Sequence, residues 1–333
     1  MLTRLEALRS AVEDASCVLI LTHNDPDPDA IASAVALRHL LGEMMGLTGH
    51  IVYKGIVGRA ENKALVRYLG HPLRLLTKAD ASQSWPIALI DTQPGAGNNA
   101  LPGSSDVVIV LDHHPLREET SKARFAEVRP EVGATSTILT EYCQAAGVDF
   151  RPAIATALFY GIKTDTMGLG RGASPSDVAA YFYLQARIDV QALVDIERAQ
   201  VSVDYFKGLV GALQSARIYE DVVLSYLGEM ERPDLAAEMA DLLLRLRGIA
   251  WVICTGTYGG EMILSVRTNG RRDAGTFIQA IVGDLGSAGG HGAMSAGQVP
   301  LLRRNPEILA RRLEQRALER LGIDPHSSGE LLI

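Results

Sequence analysis

Residues 23–29 read "HNDPDPD", so one histidine and three aspartates fall within seven positions, directly after the apolar run "CVLILT". Carboxylates that close repel one another, and each costs free energy to take out of water. A cation must balance them. The same residue types return three more times. "IALIDTQ" carries Asp91, "VIVLDHHP" carries Asp112, His113 and His114, and "GIKTDT" carries Asp165. Carboxylate and neutral imidazole together suit Mn²⁺, Zn²⁺ or Fe²⁺. His23, Asp27, Asp29, Asp91, His113 and Asp165 make a set of six ligands without a thiolate, too rich in oxygen for a structural zinc site. The set suits two metals sharing a bridging carboxylate, ~3.5–4 Å apart, which hold a hydroxide and clamp the oxygens of an in-line phosphoryl displacement. Roughly +4 of metal charge then makes the crowding tolerable. Asp25 is not needed as a ligand and reads as a turn residue. His39, His50, His71 and His326 have no partners in sequence and read as surface or core residues.

Such ligands need a scaffold that brings distant segments to one edge. Residues 1–189 alternate strand and helix signals. "CVLILT", "HIVYKG", "PIALID" and "DVVIVLD" are apolar runs of the kind that suits strands covered on both faces of a parallel sheet. Helices are expected over 29–45, 61–69, 133–147, 151–165 and 174–187, the last with Ser174 as N-cap before Pro175. This βαβ pattern predicts a doubly wound α/β domain with a mostly parallel sheet. In such sheets ligands bind beyond the carboxyl ends of the strands, where these acids and histidines fall. Residues 190–217 read as a linker helix, and 218–333 as a smaller α/β domain with strands at 221–228, 248–257 and 261–269 and helices at 233–247, 274–286 and 305–321.

Bulk properties narrow the partners. A net charge of −7 argues against coating duplex DNA and leaves room for a small anionic ligand in a local basic pocket. No apolar run approaches the ~18 residues of a membrane span, and the N-terminus lacks a signal-peptide pattern. Cys17, Cys143 and Cys254 lack CxxC spacing and read as reduced thiols of a cytoplasmic protein. No GxxxxGK[ST] or GxSxG is present, and "GLGRG" (168–172) follows the Asp165 motif instead of opening a βαβ unit.

In this order, "HNDPDPDAIAS", "IDT", "LDHHP" and "YGIKTDT" resemble the four motifs of the DHH phosphoesterase superfamily. "GSAGGHGAMSAG" (286–297) resembles the glycine-rich signature of the associated DHHA1 domain, and "LSVRTNG" its substrate-arginine strand. The resemblance extends from about Cys17 to Val299, and the length is similar to the NrnA-type oligoribonuclease and pAp phosphatase branch. It implies a pair of Mn²⁺ ions in a cleft between the domains, with Mg²⁺ or Co²⁺ as substitutes. His23 and Asp27 would hold one ion, Asp29, His113 and Asp165 the other, and Asp91 would bridge them. Asp112 would orient His113, and His114 would contact the scissile phosphate. Arg267, Gly289, Gly290 and His291 would hold the substrate's other phosphate or base, and Arg171 of "GLGRG", by its place after the Asp165 motif, reads as a further phosphate contact or an exposed residue. The implied substrates are short single-stranded oligoribonucleotides, linear dinucleotides such as pGpG, or 3′-phosphoadenosine 5′-phosphate. A homodimer is left open. The rival readings are an inorganic pyrophosphatase and a nucleotide-sensing protein that does not turn over. The chain departs from the family pattern at Pro28, Ala32, Ser287, Ala288 and Ser295. The metal-binding side chains are all kept, so the departures bear on substrate preference, Pro28 most of all because it fixes φ and removes an N–H.

Overall fold

The structure, a computed structural model, describes residues 1–103, 105–269 and 272–333, with the side chain of His291 also outside the described set. The chain divides into two units, Met1–Gln200 and Val201–Ile333.

The first unit runs α1 (Leu2–Ser10), β1 (Cys17–Thr22), α2 (Pro28–Met45), β2 (Thr48–Tyr53), α3 (Ala60–Tyr68), β3 (Leu73–Leu75), α4 (Lys78–Ser82), β4 (Ile87–Ile90), β5 (Val107–Asp112), β6 (Phe125–Val128), α5 (Thr135–Ala145), α6 (Pro152–Asp165), α7 (Pro175–Gln185) and α8 (Val190–Glu197). Its six strands pair in the order β3-β2-β1-β4-β5-β6, all parallel. The chain winds outward from β1 in one direction and from β4 in the other, so the strand order reverses between them. That reversal opens a crevice beyond the carboxyl ends of β1 and β4, the place where such sheets bind ligands. His23 follows β1 and Asp91 follows β4.

Alternation along the strands explains their apolar composition. Val18 and Ile20 of β1 and Ala88 and Ile90 of β4 enter one core, with α2, α5 and α6. Leu19, Leu21, Ile87 and Leu89 enter the opposite core, closed by Leu76, Trp85 and Leu101 from connecting segments. Each such buried aliphatic side chain contributes about 1.5–3 kcal/mol. Helix α2 begins where the sequence departs from the family pattern. The Asp27 carboxylate caps it by accepting from the Ala30 N–H at 3.0 Å, and Pro28 occupies the first helical position, where no N–H is needed. It ends at Gly46, whose φ of 67° is the left-handed conformation of a C-terminal cap.

The second unit runs α9 (Val203–Ser215), β7 (Arg217–Tyr219), β8 (Val222–Glu229), α10 (Asp234–Leu243), β9 (Trp251–Tyr258), β10 (Glu261–Thr268), α11 (Ala274–Val282), β11 (Ser287–His291), β12 (Met294–Pro300), α12 (Pro306–Leu321) and β13 (Glu330–Leu331). The seven-stranded sheet has the order β11-β12-β10-β9-β8-β7-β13, and the one parallel pair among its described strands is β8 with β9. Trp251 and Ile253 face α11 and α12, while Val252 and Cys254 face α9 and α10.

The expected linker helix over 190–217 is two helices in two different units. Leu193 and Ile196 of α8 join the first unit's core, and Ala212 of α9 joins the second's. The break falls where Ser202 turns its hydroxyl onto the Tyr205 N–H at 3.1 Å and restarts the chain as an N-cap. The short strands β3, β6, β7, β11, β12 and β13 extend both sheets beyond the strands expected from apolar runs.

Candidate metal centre

The ligand set converges from three strand ends and one helix end. Asp91 stands at the middle. Its Oδ2 lies 3.5 Å from His23 Nε2 and its Oδ1 lies 3.6 Å from His113 Nε2. His23 Nε2 is also 3.7 Å from Asp27 Oδ1, and His113 Nε2 is 3.5 Å from Asp165 Oδ2. Three overlapping groups of ligand atoms result, His23–Asp27–Asp91, Asp29–His113–Asp165 and Asp91–His113–His114, each with all its atoms within 4.8 Å of one another. Asp165 arrives from the last residue of α6 and not from a strand.

Hydrogen bonds to carbonyls set the two imidazoles. His23 Nδ1 is 2.7 Å from the Asn24 carbonyl oxygen, and His113 Nδ1 is 3.4 Å from that of Val132. A carbonyl only accepts, so each Nδ1 carries a proton and each Nε2 faces the carboxylates, able to give a lone pair to a metal ion once that nitrogen is deprotonated. His113 Nε2 is buried without a hydrogen-bond partner. This is the outer-sphere arrangement that orients metal-ligating histidines. A lone pair facing carboxylates at 3.5 Å or more is a repulsive contact unless a cation lies between them.

Protein groups alone leave the cluster in electrostatic conflict. Burial, followed by the charges of Asp91 and Asp27, pushes the Asp29 carboxyl well above the usual range. Burial and the charges of Asp27, Asp29 and Asp91 do the same to Asp165. Burial opposes charge on His23 as well, but Asp27 and Asp91 outweigh it and raise its pKa well above the ordinary value. Asp91 goes the other way: burial works against its ionisation, and contact with His23, His113 and His114 overcomes that and lowers its pKa. Its backbone adopts φ 58°, a left-handed conformation costing about 1–3 kcal/mol in a non-glycine residue and held only where the surroundings demand it.

Main-chain donors secure Asp29, which is fully buried. It accepts from the Thr135 N–H at 2.7 Å on one oxygen and from the Ser136 N–H at 2.8 Å on the other. These are the first two amides of α5, donors that no carbonyl of the helix can use. The Thr135 hydroxyl donates to Asp91 Oδ1 at 2.8 Å, so one helix start holds two of the acids. Gly161 lets α6 approach this point: a Cβ there would collide with the Ser136 hydroxyl and press on the Asp29 main chain.

Asp112 corrects one expectation. It does not orient His113. Its Oδ1 accepts from His114 Nδ1 at 2.8 Å and from the His114 N–H at 3.2 Å. Adjacent residues leaving a strand face opposite sides, so one carboxylate cannot serve both rings. Burial disfavours charge on His114, but Asp112 and Asp91 raise its pKa to about 9. Gln93, Thr135, Ser136 and Asp177 also support the site, and none was singled out by residue type. Asp177 is fully buried and joins the start of α7 to the loop before α5, accepting from Ser174 N at 2.7 Å and Gly133 N at 2.8 Å. The Gln that directly follows "IDT" is the one legible signal among the four.

The remaining expected residues are placed as follows. Asp25 is a turn residue, with φ 55° and a carboxylate accepting the Ile56 N–H at 2.7 Å. Arg171 donates from Nη2 to the Asp165 main-chain oxygen at 3.0 Å. Arg267 is buried in the second unit, with Nε 2.5 Å from Asp241 Oδ1 and Nη1 2.9 Å from Ser265 Oγ. Gly289 and Gly290 lie on the edge strand β11, and a Cβ at Gly290 would meet Met294 and Ser295 of β12. The side chain of His291 lies outside the described residues.

The DHH family, N-terminal domain, matches residues 17–162. The match falls within the first unit, Met1–Gln200. An uncharacterized protein of Methanocaldococcus jannaschii is 37% identical over 291 residues, 87% of this chain and 59% of that protein. A Streptococcus pyogenes protein named as a probable manganese-dependent inorganic pyrophosphatase is 30% identical over 153 residues, 46% of this chain and 49% of its own length. The chain therefore spans roughly half to three-fifths of these curated relatives. An exopolyphosphatase-related protein from Bacteroides fragilis shares the fold over 96% of both chains, with a TM-score of 0.77 and 16% identity. RecJ from Thermus thermophilus, solved with Mn²⁺, aligns over 95% of this chain and 54% of its own, with a TM-score of 0.50 and 13% identity. No helix among the described residues is long and apolar enough to cross a membrane.

Proposed function

We propose that this chain is a manganese-dependent phosphoesterase. Its substrates are short oligoribonucleotides, linear dinucleotides such as pGpG, or 3′-phosphoadenosine 5′-phosphate. The observation that carries the reading is Asp91, whose two oxygens reach His23 and His113 at 3.5 and 3.6 Å. His23 and Asp27 would hold one ion and Asp29, His113 and Asp165 the other, with Asp91 available to both. Bound there, divalent ions offset the carboxylates, ready a water for attack and take up charge on phosphoryl oxygens.

The protein's own groups do the rest. His114, fixed by Asp112, donates to a phosphoryl oxygen of the scissile group. Arg171 and, in the second unit, Arg267, Gly289, Gly290 and His291 receive a further phosphate or the base. Asp241 and Ser265 hold the Arg267 guanidinium in one orientation, so little of its freedom is left to lose on binding. A net charge of −7 disfavours long nucleic acid outside these contacts and fits substrates of a few nucleotides.

A second reading, inorganic pyrophosphatase, is favoured by the Streptococcus pyogenes relative, although that match covers only 46% of the chain. A panel of pApA, pGpG, 3′-phosphoadenosine 5′-phosphate and pyrophosphate, incubated with chelator-stripped protein and added Mn²⁺, separates the readings. Hydrolysis of a nucleotide ester, absent without the metal, is the expected result. Pyrophosphate as the only substrate supports the second reading. Tight nucleotide binding without turnover in Mn²⁺, Mg²⁺ or Co²⁺ overturns both in favour of a sensor.

A further inference from the structure

From Gln93 through Asp112 to His114 runs a chain of hydrogen bonds whose direction is fixed at each step. Gln93 is 1% exposed, and its side chain meets Asp112 and the segment from His114 to Thr120. Its carbonyl oxygen accepts from the Arg117 main-chain N–H and from the Thr120 hydroxyl, both at 2.8 Å. Its amide nitrogen lies 2.7 Å from Asp112 Oδ2 and 3.1 Å from the Pro115 carbonyl oxygen. A main-chain N–H only donates and a carbonyl only accepts, so the amide cannot be turned over without facing donor to donor and acceptor to acceptor. Asp112 Oδ2 must therefore accept. Asp112 Oδ1 already accepts the His114 main-chain N–H, which also can only donate. With both oxygens committed as acceptors, His114 Nδ1 has to be the donor in the 2.8 Å contact to Asp112. The other ring nitrogen, Nε2, is then the atom His114 turns away from Asp112.

We propose that Gln93 is a positioning residue that acts through Asp112 to fix both the place and the hydrogen-bond direction of the His114 imidazole. The proposal rests on the phosphoesterase reading for the use made of His114, but its geometry does not. The Gln93 side chain has two separable halves. The accepting oxygen ties down the Arg117–Thr120 segment and is structural. The donating nitrogen holds Asp112 and is the half that reaches His114. Thr120→Val removes a bond from the first half alone. Gln93→Met removes both while keeping the length and apolar bulk of the side chain.

The test compares these two variants in pApA hydrolysis with Mn²⁺ and in the imidazole proton spectrum of the metal-free protein. Loss of an outer-sphere partner of this kind typically costs about 10–100-fold. Gln93→Met is expected to lower kcat by about that factor with KM within about threefold. Thr120→Val is expected to lower Tm while leaving kcat within about twofold. The downfield Nδ1–H resonance of His114, assigned by its disappearance in His114→Ala, is expected in wild type and Thr120→Val and broadened or missing in Gln93→Met. Should Gln93→Met fail to fold, Gln93→Leu removes the same two hydrogen-bonding groups in a smaller apolar side chain, with the same expected loss. An unchanged Nδ1–H resonance in the Gln93 variant, or a kcat loss in Thr120→Val equal to that in Gln93→Met, overturns the proposal. If wild-type protein hydrolyses no ester, the phosphoesterase reading fails while the resonance still decides the role of Gln93.

Discussion

At the carboxyl edge of the first unit the four carboxylates of Asp27, Asp29, Asp91 and Asp165 face the two imidazoles of His23 and His113, and His113 Nε2 is buried without a hydrogen-bond partner. In the second unit the buried guanidinium of Arg267 already has the Asp241 carboxylate, a serine hydroxyl and the Val266 carbonyl. One region is arranged around a charge it lacks, and the other around a charge it has neutralised. The first arrangement suits chemistry, because a cation entering it meets ligands already in place and gains more than it would in water. The second suits binding, because a guanidinium held still loses little entropy when an anion arrives.

This contrast can be broken or sharpened by experiment. The largest effect is expected from Asp91→Ala. It removes the carboxylate whose two oxygens reach His23 and His113, and should lower kcat by about 10³-fold or more and weaken Mn²⁺ binding, followed by titration calorimetry. Retention of activity within tenfold would mean the two groups work independently. Arg267→Ala is expected to raise KM about 10-fold or more with kcat nearly unchanged, measured on pApA. A fall in kcat of equal size would make Arg267 part of the chemistry and erase the distinction between the units.

The smallest effect concerns stability alone. Burial pushes the Glu314 carboxyl on α12 up to about 7, although Arg311 and Arg217 pull it down. An acid whose pKa is higher folded than unfolded holds its proton in the native state after the unfolded chain has released it. Stability therefore falls as pH rises from about 4.5, the ordinary value, through about 7, by at most about 3 kcal/mol. Glu314→Gln should flatten that slope in urea unfolding at pH 5 and pH 8 and leave hydrolysis unchanged. A slope that survives in the variant points to another group.

The site was legible in the sequence to the extent that it consists of whole side chains of telling type. Several apolar runs that each end in Asp or His at one sheet edge point to a shared cation, and strands buried on both faces announce themselves as "CVLIL" and "VVIVL". Hydrogen-bond direction was not legible. His113 and His114 are the same residue type one position apart, and only the turn decides which of them Asp112 meets. Thr135 and Ser136 carry no chemical signature, since their part is played by a hydroxyl and main-chain N–H groups available to many residues, and Gln93 is marked only by its place directly after "IDT". β11 escaped because a run of Ser, Ala and Gly has no apolar alternation, and β3 and β13 because two or three residues are too few to show one. The expected linker helix is interrupted between Glu197 and Val203, where one helix ends at Arg198 and Ser202 caps the start of the next.

The grip of α5 on Asp29 has a consequence for how this molecule can change over time. Its two donors belong to the peptide backbone, so replacing the side chain at position 136 deletes neither of them. The part of the centre built on Asp29 is thereby insulated from drift in its supporting residues, whereas His114, which rests on Asp112 and through it on Gln93, loses its support with a single codon.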